Sequence, residues 1–302
     1  MLKIVIFGYG FKGVQLLRKL SDNNEYEVIA FADNSVYKQG NYAGEYPILS
    51  MDDLVTMKIS IDFSVIIAAN RWFEIGEQLE KRDITIGGVY ADGEIIKYDR
   101  MDFGRLDLTK EINLYAGDIC DEVHFSDPNL FGLSINKADS RHILHNITDK
   151  YPLPDESISS YQAEDVLEHI EFAQLTDAIN EIYRILKKDG LFRICLPDYF
   201  SPYLKNISMT NKNGDIVFDP TGGGVYEENG VSGGGHVWFP NYLLVDDLLK
   251  GTLFHRIDFR CYHTENGEVL KKEIDFSKGY INRMPKEGKI GLIYSIVVDC
   301  YK

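Results

Sequence analysis

The chain has 302 residues, a length that predicts about two domains, and 32 Lys+Arg against 47 Asp+Glu give it a formal net charge of −15. Both parts share the excess: 11 basic against 15 acidic residues up to residue 100, and 21 against 32 beyond it, or −4 and −11. This balance argues against unguided nucleic-acid binding, which needs clustered Lys/Arg to displace phosphate counterions, and against docking on an anionic membrane; 44% hydrophobic and 26% charged residues exclude disorder as the main state.

The opening MLKIVIFGYG has no apolar segment of signal-peptide length. No run approaches the ~18 apolar residues that span a bilayer. A soluble, reduced, cytoplasmic protein is expected. Lys3–Phe7 reads as a buried parallel strand and runs straight into Gly8-Tyr9-Gly10-Phe11-Lys12-Gly13. Val14, Leu16, Leu17 and Leu20 then fall at helical spacing, and a second strand, Glu27–Ala32, ends at Asp33. The order strand, GxGxxG, helix, strand, acid is the context that gives the motif meaning. Gly8 suits a tight turn, Gly10 the close approach of a phosphate, Gly13 close helix–strand packing, and Asp33 a ribose hydroxyl. A third strand is predicted at Phe63–Ala69 and a fourth at Ile84–Val89.

GYGFKG, then FADNS, then Tyr46–Leu54 (YPILSMDDL) resemble the N-terminal nucleotide-binding domain of bacterial sugar O-acyltransferases over residues 1–95. The resemblance implies a Rossmann-like domain, placed at 1–98, that binds a nucleotide or nucleotide-sugar rather than one that does redox chemistry. A structural module with an empty pocket is the alternative. No hydride-transfer residues follow downstream.

Residues 96–110 are polar and mixed in charge and read as a connection. Strands are predicted at Glu111–Asp118, Leu130–Ile135, Arg141–Ile147 and Ile158–Ala163. Glu164–Ile170 leads into a helix whose Leu175, Ala178, Ile179, Ile182 and Leu186 share one face and which stops at Lys187-Lys188-Asp189-Gly190. A strand at Leu191–Leu196 ends at Pro197-Asp198-Tyr199, and Ile257–Tyr262 with Leu292–Asp299 would form a final antiparallel pair. Cys120, Cys195, Cys261 and Cys300 form no CxxC pair; Cys195 and Cys300 read as buried strand cysteines.

YPLPDESISSYQAEDVLEHI followed by LTDAINEIYRILKKDGLFRICLPDY resembles the central part of class I S-adenosylmethionine (SAM)-dependent methyltransferases of the type 11 group, and the likeness extends over residues 108–302. In that group the VLEHI-like phrase opens the next helix. The resemblance implies SAM as cofactor, with Gly117, Asp118, Ser134, Asn136, Asn146, Ile147 and Glu164 at the carboxyl ends of the strands. The chain departs from the pattern at the first strand end, where Tyr115-Ala116-Gly117-Asp118 keeps one glycine. It departs again at the second, which reaches Ser134-Ile135-Asn136 with no acid. Asp155, Glu156, Glu164, Asp165, Glu168 and Glu171 would make an acidic rim, suited to a cationic sulfonium.

Thr221–His236 holds seven glycines in sixteen residues, a linker or a lid over the site. His236, flanked by Trp238 and Phe239, either fixes the loop or is the general base for a hydroxyl acceptor, and the aromatic faces suit a sugar ring or a nucleobase. His169 reads as a packing residue; His124, His142 and His145 are assigned no role. No His/Cys/Asp group has metal-ligand spacing, so no metal is expected.

The predicted fold class is α/β. It has two doubly wound, mostly parallel sheets, a small Rossmann-like domain and then a methyltransferase-like domain with a C-terminal antiparallel pair. The predicted function is SAM-dependent O-methylation of a sugar, in a cell-surface glycan or its nucleotide-activated precursor. One alternative is a non-catalytic methyltransferase-fold protein that binds a nucleotide or nucleotide-sugar as scaffold or regulator. Another is a different group transfer on a nucleotide-sugar. No nucleic-acid partner or membrane insertion is expected, and a homo-oligomer stays open.

Overall fold

The computed structural model describes residues 1–21, 23–119, 125–227, 230–284 and 292–302. It divides into two compact units, Met1–Arg100 with Asn136–Ser140, and Met101–Ile135 with Arg141–Lys302. Cys120 and His124 lie outside the described residues. Among the described residues no helix is long and apolar enough to cross a membrane.

The first unit runs β1 (Leu2–Phe7), α1 (Phe11–Ser21), β2 (Tyr26–Ala32), β3 (Tyr42–Ala43), β4 (Tyr46–Leu49), α2 (Met51–Lys58), β5 (Ser64–Ile67), α3 (Trp72–Glu80), β6 (Ile86–Ala91), β7 (Glu94–Ile96). The sheet order is β3-β4-β2-β1-β5-β6-β7, parallel from β4 to β6. β1 is apolar at every central position because both faces are covered. Val5 and Phe7 join Leu54, Ile75 and Leu79 on one side; Ile4 and Ile6 join Leu16 and Leu20 on the other. Helix α2 starts on a reciprocal cap, Ser50 Oγ accepting from Asp53 N while Asp53 accepts from Ser50 N. Edge strands β3 and β7 are too short to show periodicity and are absent from the sequence reading.

Gly8, with φ +113°, turns the chain out of β1. A β-carbon on Gly13 would stand 2.0 Å from the Gly8 carbonyl oxygen, so α1 crosses the turn on bare backbone. Gly13→Ala is expected to cost the first unit about 1–3 kcal/mol by overpacking. Thermal unfolding followed by far-UV circular dichroism checks this, and an unchanged melting curve would contradict it.

The second unit runs β8 (Asn113–Ala116), β9 (Leu130–Ser134), β10 (His142–Leu144), β11 (Ile158–Glu164), α4 (Phe172–Ile185), β12 (Leu186–Pro197), α5 (Pro202–Ile207), β13 (Met209–Thr210), β14 (Ile216–Phe218), β15 (Val225–Glu227), β16 (Gly230–Ser232), α6 (Tyr242–Lys250), β17 (Arg256–His263), β18 (Val269–Lys271), β19 (Ser295–Tyr301). The main sheet has the order β10-β9-β8-β11-β12-β19-β17-β18. It is parallel from β10 to β12 and antiparallel beyond. The chain leaves β8 toward β9 and β10, then returns to β11 on the other side of β8. That reversal opens a crevice at the carboxyl ends of β8 and β11. Leu175, Ile179, Ile182 and Ile185 of α4 and Val245, Leu248 and Leu249 of α6 pack on one face of this sheet. On the opposite face Cys195, Cys261 and Val297 pack with Ile274, Ile281 and Met284. Cys195, Cys261 and Cys300 are buried thiols, and burial pushes all three up, Cys261 to about 11.

Two expectations need correction. The VLEHI phrase does not open a helix: Leu167–His169 is one 3₁₀ turn, and α4 begins at Phe172. Val237 N donates to the Glu168 carbonyl (2.9 Å) and Trp238 Nε1 to that of Leu167 (2.8 Å), so the return segment takes the acceptors a helix would use. Helix α4 also ends earlier than Lys187. Leu186 already pairs with Ile158 of β11, and Asp189 N and the Gly190 carbonyl pair with Lys302.

Candidate active site

In the first unit the Asp33 carboxylate, expected to face a ribose, is engaged by its own chain. Oδ2 accepts from Tyr9 N (2.8 Å) and Lys38 Nζ (2.9 Å), and Oδ1 accepts from Ser35 N (2.9 Å). Gly10 has open space where its β-carbon would be.

In the second unit the strand pairing brings Gly117, Ser134 and Glu164 to one edge, with Ala116 beside both Leu133 and Ala163. Gly117 has φ +104°, the left-handed region that favours glycine. His142 holds the turn after it, accepting from Ile119 N (2.9 Å). Gly132 makes room for that imidazole, since a β-carbon there would lie 2.6 Å from its Cδ2. Asp118 is exposed and Ser134 buried. Glu164 is buried and occupied: it accepts from Arg283 N (2.8 Å), Asn282 N (3.2 Å) and the Tyr115 hydroxyl (3.4 Å). Burial raises its pKa, and those backbone donors oppose the rise.

The other expected cofactor contacts do not converge there. Ile147 is part of the main core, and Asn146 closes a turn by accepting from Thr148 N. Asn136 is exposed and grouped with the first unit. Asp155 and Glu156 precede β11, at the amino end of the sheet, so they are not part of an acidic rim at the carboxyl edge; Asp155 pairs with Arg184 (2.8 Å). Trp238 is buried against Phe172 with its Nε1 spent on a carbonyl, and the Phe239 ring meets Tyr199 edge-on. Trp238 therefore offers no free face to a sugar ring.

Immediately past Glu164 the chain assembles a polar cluster that linear spacing hides. Asp165 has φ +55° and turns the backbone sharply. Its Oδ2 pairs with Arg283 Nε, while its buried Oδ1 has no hydrogen-bond partner. Glu168 is wholly buried and neither carboxylate oxygen has a partner. Burial, with Asp165 beside it, pushes its pKa up to about 8. His236 comes from the far end of the glycine-rich segment and is 4% exposed. Gly222 lets the chain pass over the ring, for a β-carbon there would stand 2.6 Å from Nδ1. His236 Nδ1 lies 2.5 Å from the Tyr199 hydroxyl, which donates to Asp219 Oδ2 (2.7 Å). Asp219 Oδ1 is held by Thr221 N (2.8 Å) and Oγ1 (2.7 Å).

These contacts determine where the protons sit. Tyr199 has one proton and gives it to Asp219, so it accepts from Nδ1–H of His236. Nε2 of His236 therefore carries the lone pair. It stands 3.7 Å from Glu168 Oε1, and the His169 ring crosses the His236 ring at 4.8 Å. Burial, with the His169 ring alongside, lowers His236 to about 4, so the ring is neutral at neutral pH. Val166, between Asp165 and Leu167, is the residue of this segment that comes near the glycine turn: its Cγ2 would be 4.0 Å from a β-carbon on Gly117.

Residues 105–194 match the family model described as a methyltransferase domain. This stretch of the second unit is similar to a methyltransferase domain. The matched stretch runs from ahead of β8 into β12 and so contains Gly117, Glu164, Glu168 and His169, whereas Tyr199, Asp219 and His236 lie beyond it. Residues 1–87 match the model described as C2185-like, N-terminal. That description names no acyltransferase, and the likeness to sugar O-acyltransferases remains an expectation from the residues. No curated protein matches the chain. Similar solved structures include SAM-dependent methyltransferases from Thermotoga maritima (16% identity, 64% of this chain and 83% of that one, TM-score 0.38) and Archaeoglobus fulgidus (15%, 64% and 86%, 0.39). Another is from Methanosarcina mazei (10%, 68% and 93%, 0.38).

Proposed function

We propose that the chain is a SAM-dependent O-methyltransferase acting on a sugar hydroxyl of a cell-surface glycan or its nucleotide-activated precursor. The observation that carries the reading is the chain of contacts Asp219–Tyr199–His236, which ends on a buried lone pair facing Glu168, four residues past the end of β11 in the unit that resembles a methyltransferase domain. The turn fits the cofactor on one count: a β-carbon on Gly117 would meet nothing nearer than Tyr115 Cε1 at 3.8 Å, so the backbone there is bare. When bound, SAM supplies an electrophilic methyl on its sulfonium. Gly117 and Asp118 would hold its amino-acid part and Ser134 the ribose side. Glu164 stands at the same edge.

The acceptor hydroxyl must lose its proton as its oxygen takes the methyl group. His236 Nε2 is the proposed base, and Asp219 steadies the protonated ring through Tyr199. Holding acceptor and methyl together supplies much of the acceleration. The sugar assignment draws on the likeness of residues 1–95. In the first unit Gly8, Gly10, Gly13 and Asp33 are the proposed contacts for a nucleotide or nucleotide-sugar, and a ribose would have to displace Lys38 from Asp33.

A second reading has its own observation. Glu164 is engaged by the 282–283 backbone and Tyr115, as in a methyltransferase fold that no longer binds cofactor and serves as a scaffold. Thermal unfolding with S-adenosylhomocysteine separates the two. At 100 times its Kd the ligand should add about 2.7 kcal/mol, and Gly117→Val should abolish the gain. No response up to millimolar ligand would overturn the first reading and leave the scaffold.

A further inference from the structure

We propose that Glu168, His169 and His236 bind a divalent transition-metal cation, and that this cation faces the acceptor hydroxyl; only the second part rests on the methyltransferase reading. One ligand atom from each of the three residues lies within 4.8 Å of the others. Both carboxylate oxygens of Glu168, a buried member of this group, have no hydrogen-bond partner among the described residues. A buried carboxylate without a partner costs several kcal/mol, so native structures pair such groups or give them metal ions.

The facing atoms also need something between them. Nε2 of His236 is a lone pair, by the proton accounting above, and it looks at Glu168 Oε1 across 3.7 Å. Protonating Glu168 does not join them, because 3.7 Å is too long for a hydrogen bond. A cation does. Bonds of ~2.1 Å set roughly 90–120° apart put two donors about 3.0–3.6 Å from each other, close to the 3.7 Å of the Glu168–His236 pair, and the exposed His169 ring would turn inward to complete the set. His236 is further prepared as a ligand, since its other nitrogen is tied through Tyr199 to Asp219, the kind of outer support that orients metal-bound imidazoles. His169 is the exposed member and opens the site to solvent. Water or an acceptor oxygen would fill the remaining positions there.

Two imidazoles and a carboxylate select Mn²⁺, Co²⁺ or Zn²⁺ over Mg²⁺, which takes oxygen ligands. Nε2 cannot both hold a cation and take a proton, so the base role given to His236 above applies to the metal-free chain only. With the cation in place the acceptor's hydroxyl proton leaves to water past His169, as the oxygen–carbon bond forms and the sulfur–carbon bond breaks, its electron pair staying on sulfur.

Equilibrium dialysis of the full chain, stripped with EDTA and free of SAM and acceptor, tests the site with Co²⁺, Mn²⁺ and Zn²⁺. One ion per chain is expected, with Co²⁺ showing visible bands of nitrogen and oxygen ligation and Mg²⁺ in ~10-fold excess failing to displace it. Glu168→Gln and the exposed His169→Asn should each weaken binding by about 10-fold or more, and Tyr199→Phe by about 10–100-fold. His169→Asn keeps the test valid if the buried variant fails to fold. No stoichiometric binding, or binding unchanged in His169→Asn, overturns the proposal. Metal bound without a response to S-adenosylhomocysteine would instead sink the methyltransferase reading and leave the metal site standing.

Discussion

Replacing Arg193 with Met is expected to destabilise the second unit by about 3 kcal/mol or more, because breaking a buried ion pair leaves a charge without its partner. Arg193 and Asp299 face each other in register on β12 and β19, both buried, with Nε to Oδ1 at 2.7 Å and Nη2 to Oδ2 at 2.9 Å. The remaining nitrogen donates to the carbonyls of Asp275 (2.8 Å) and Gly279 (2.7 Å), so the same guanidinium ties down the segment that covers this face of the sheet. Arg260 also reaches Asp299, at 3.1 Å, and holds the loss toward the lower end. The two tryptophans lie one in each unit, so Trp238 fluorescence in a Trp72→Phe background follows the second unit through urea unfolding. Adding Asp299→Leu to Arg193→Met should recover part of the stability by removing the stranded charge. A loss below about 1 kcal/mol, the scale of an exposed pair, would contradict the role given to Arg193.

His236→Asn is expected to lower the rate of methyl transfer by about 10²–10⁴-fold, the usual worth of a positioned base, while S-adenosylhomocysteine binding persists. Asn still offers a donor to Tyr199 and fits beneath Gly222, but it carries no imidazole lone pair toward Glu168. Turnover measured with cofactor and acceptor saturating separates the chemical step from binding. Unchanged turnover would remove His236 from the reaction. Metal affinity of the same variant then tells whether Nε2 serves as base or as ligand, because only a ligand's loss changes both.

The elements the sequence announces are those whose apolar pattern repeats. Ile4–Phe7, Phe192–Leu196 and the face of α4 are legible because each alternates or repeats against a core on a known side. The short edge strands escape notice, and Lys187–Gly190 looks like a helix stop although β pairing claims it. The candidate site is legible only in part. Gly117 and Glu164 sit at strand ends, while Ile147, expected at another strand end, and Trp238, expected as an aromatic face beside His236, turn inward.

The sequence by itself determines two α/β units, an acidic balance, the glycine turn at Gly8–Gly13 and the strand end at Gly117, since local spacing and composition carry all of these. Only the tertiary structure decides that Glu168, whose neighbours in sequence read as helix, is a buried carboxylate without a partner. It alone brings Tyr199, Asp219 and His236, spread over 38 residues, to that carboxylate. The reason is physical. Side-chain periodicity reports which face of an element is buried, whereas a polar cluster built from four loops depends on where those loops return, and no local pattern encodes that. The acidic excess that opens the sequence is thereby divided: part is solvated surface, and part, at Glu168 and Asp219, is drawn inside the second unit beside His236.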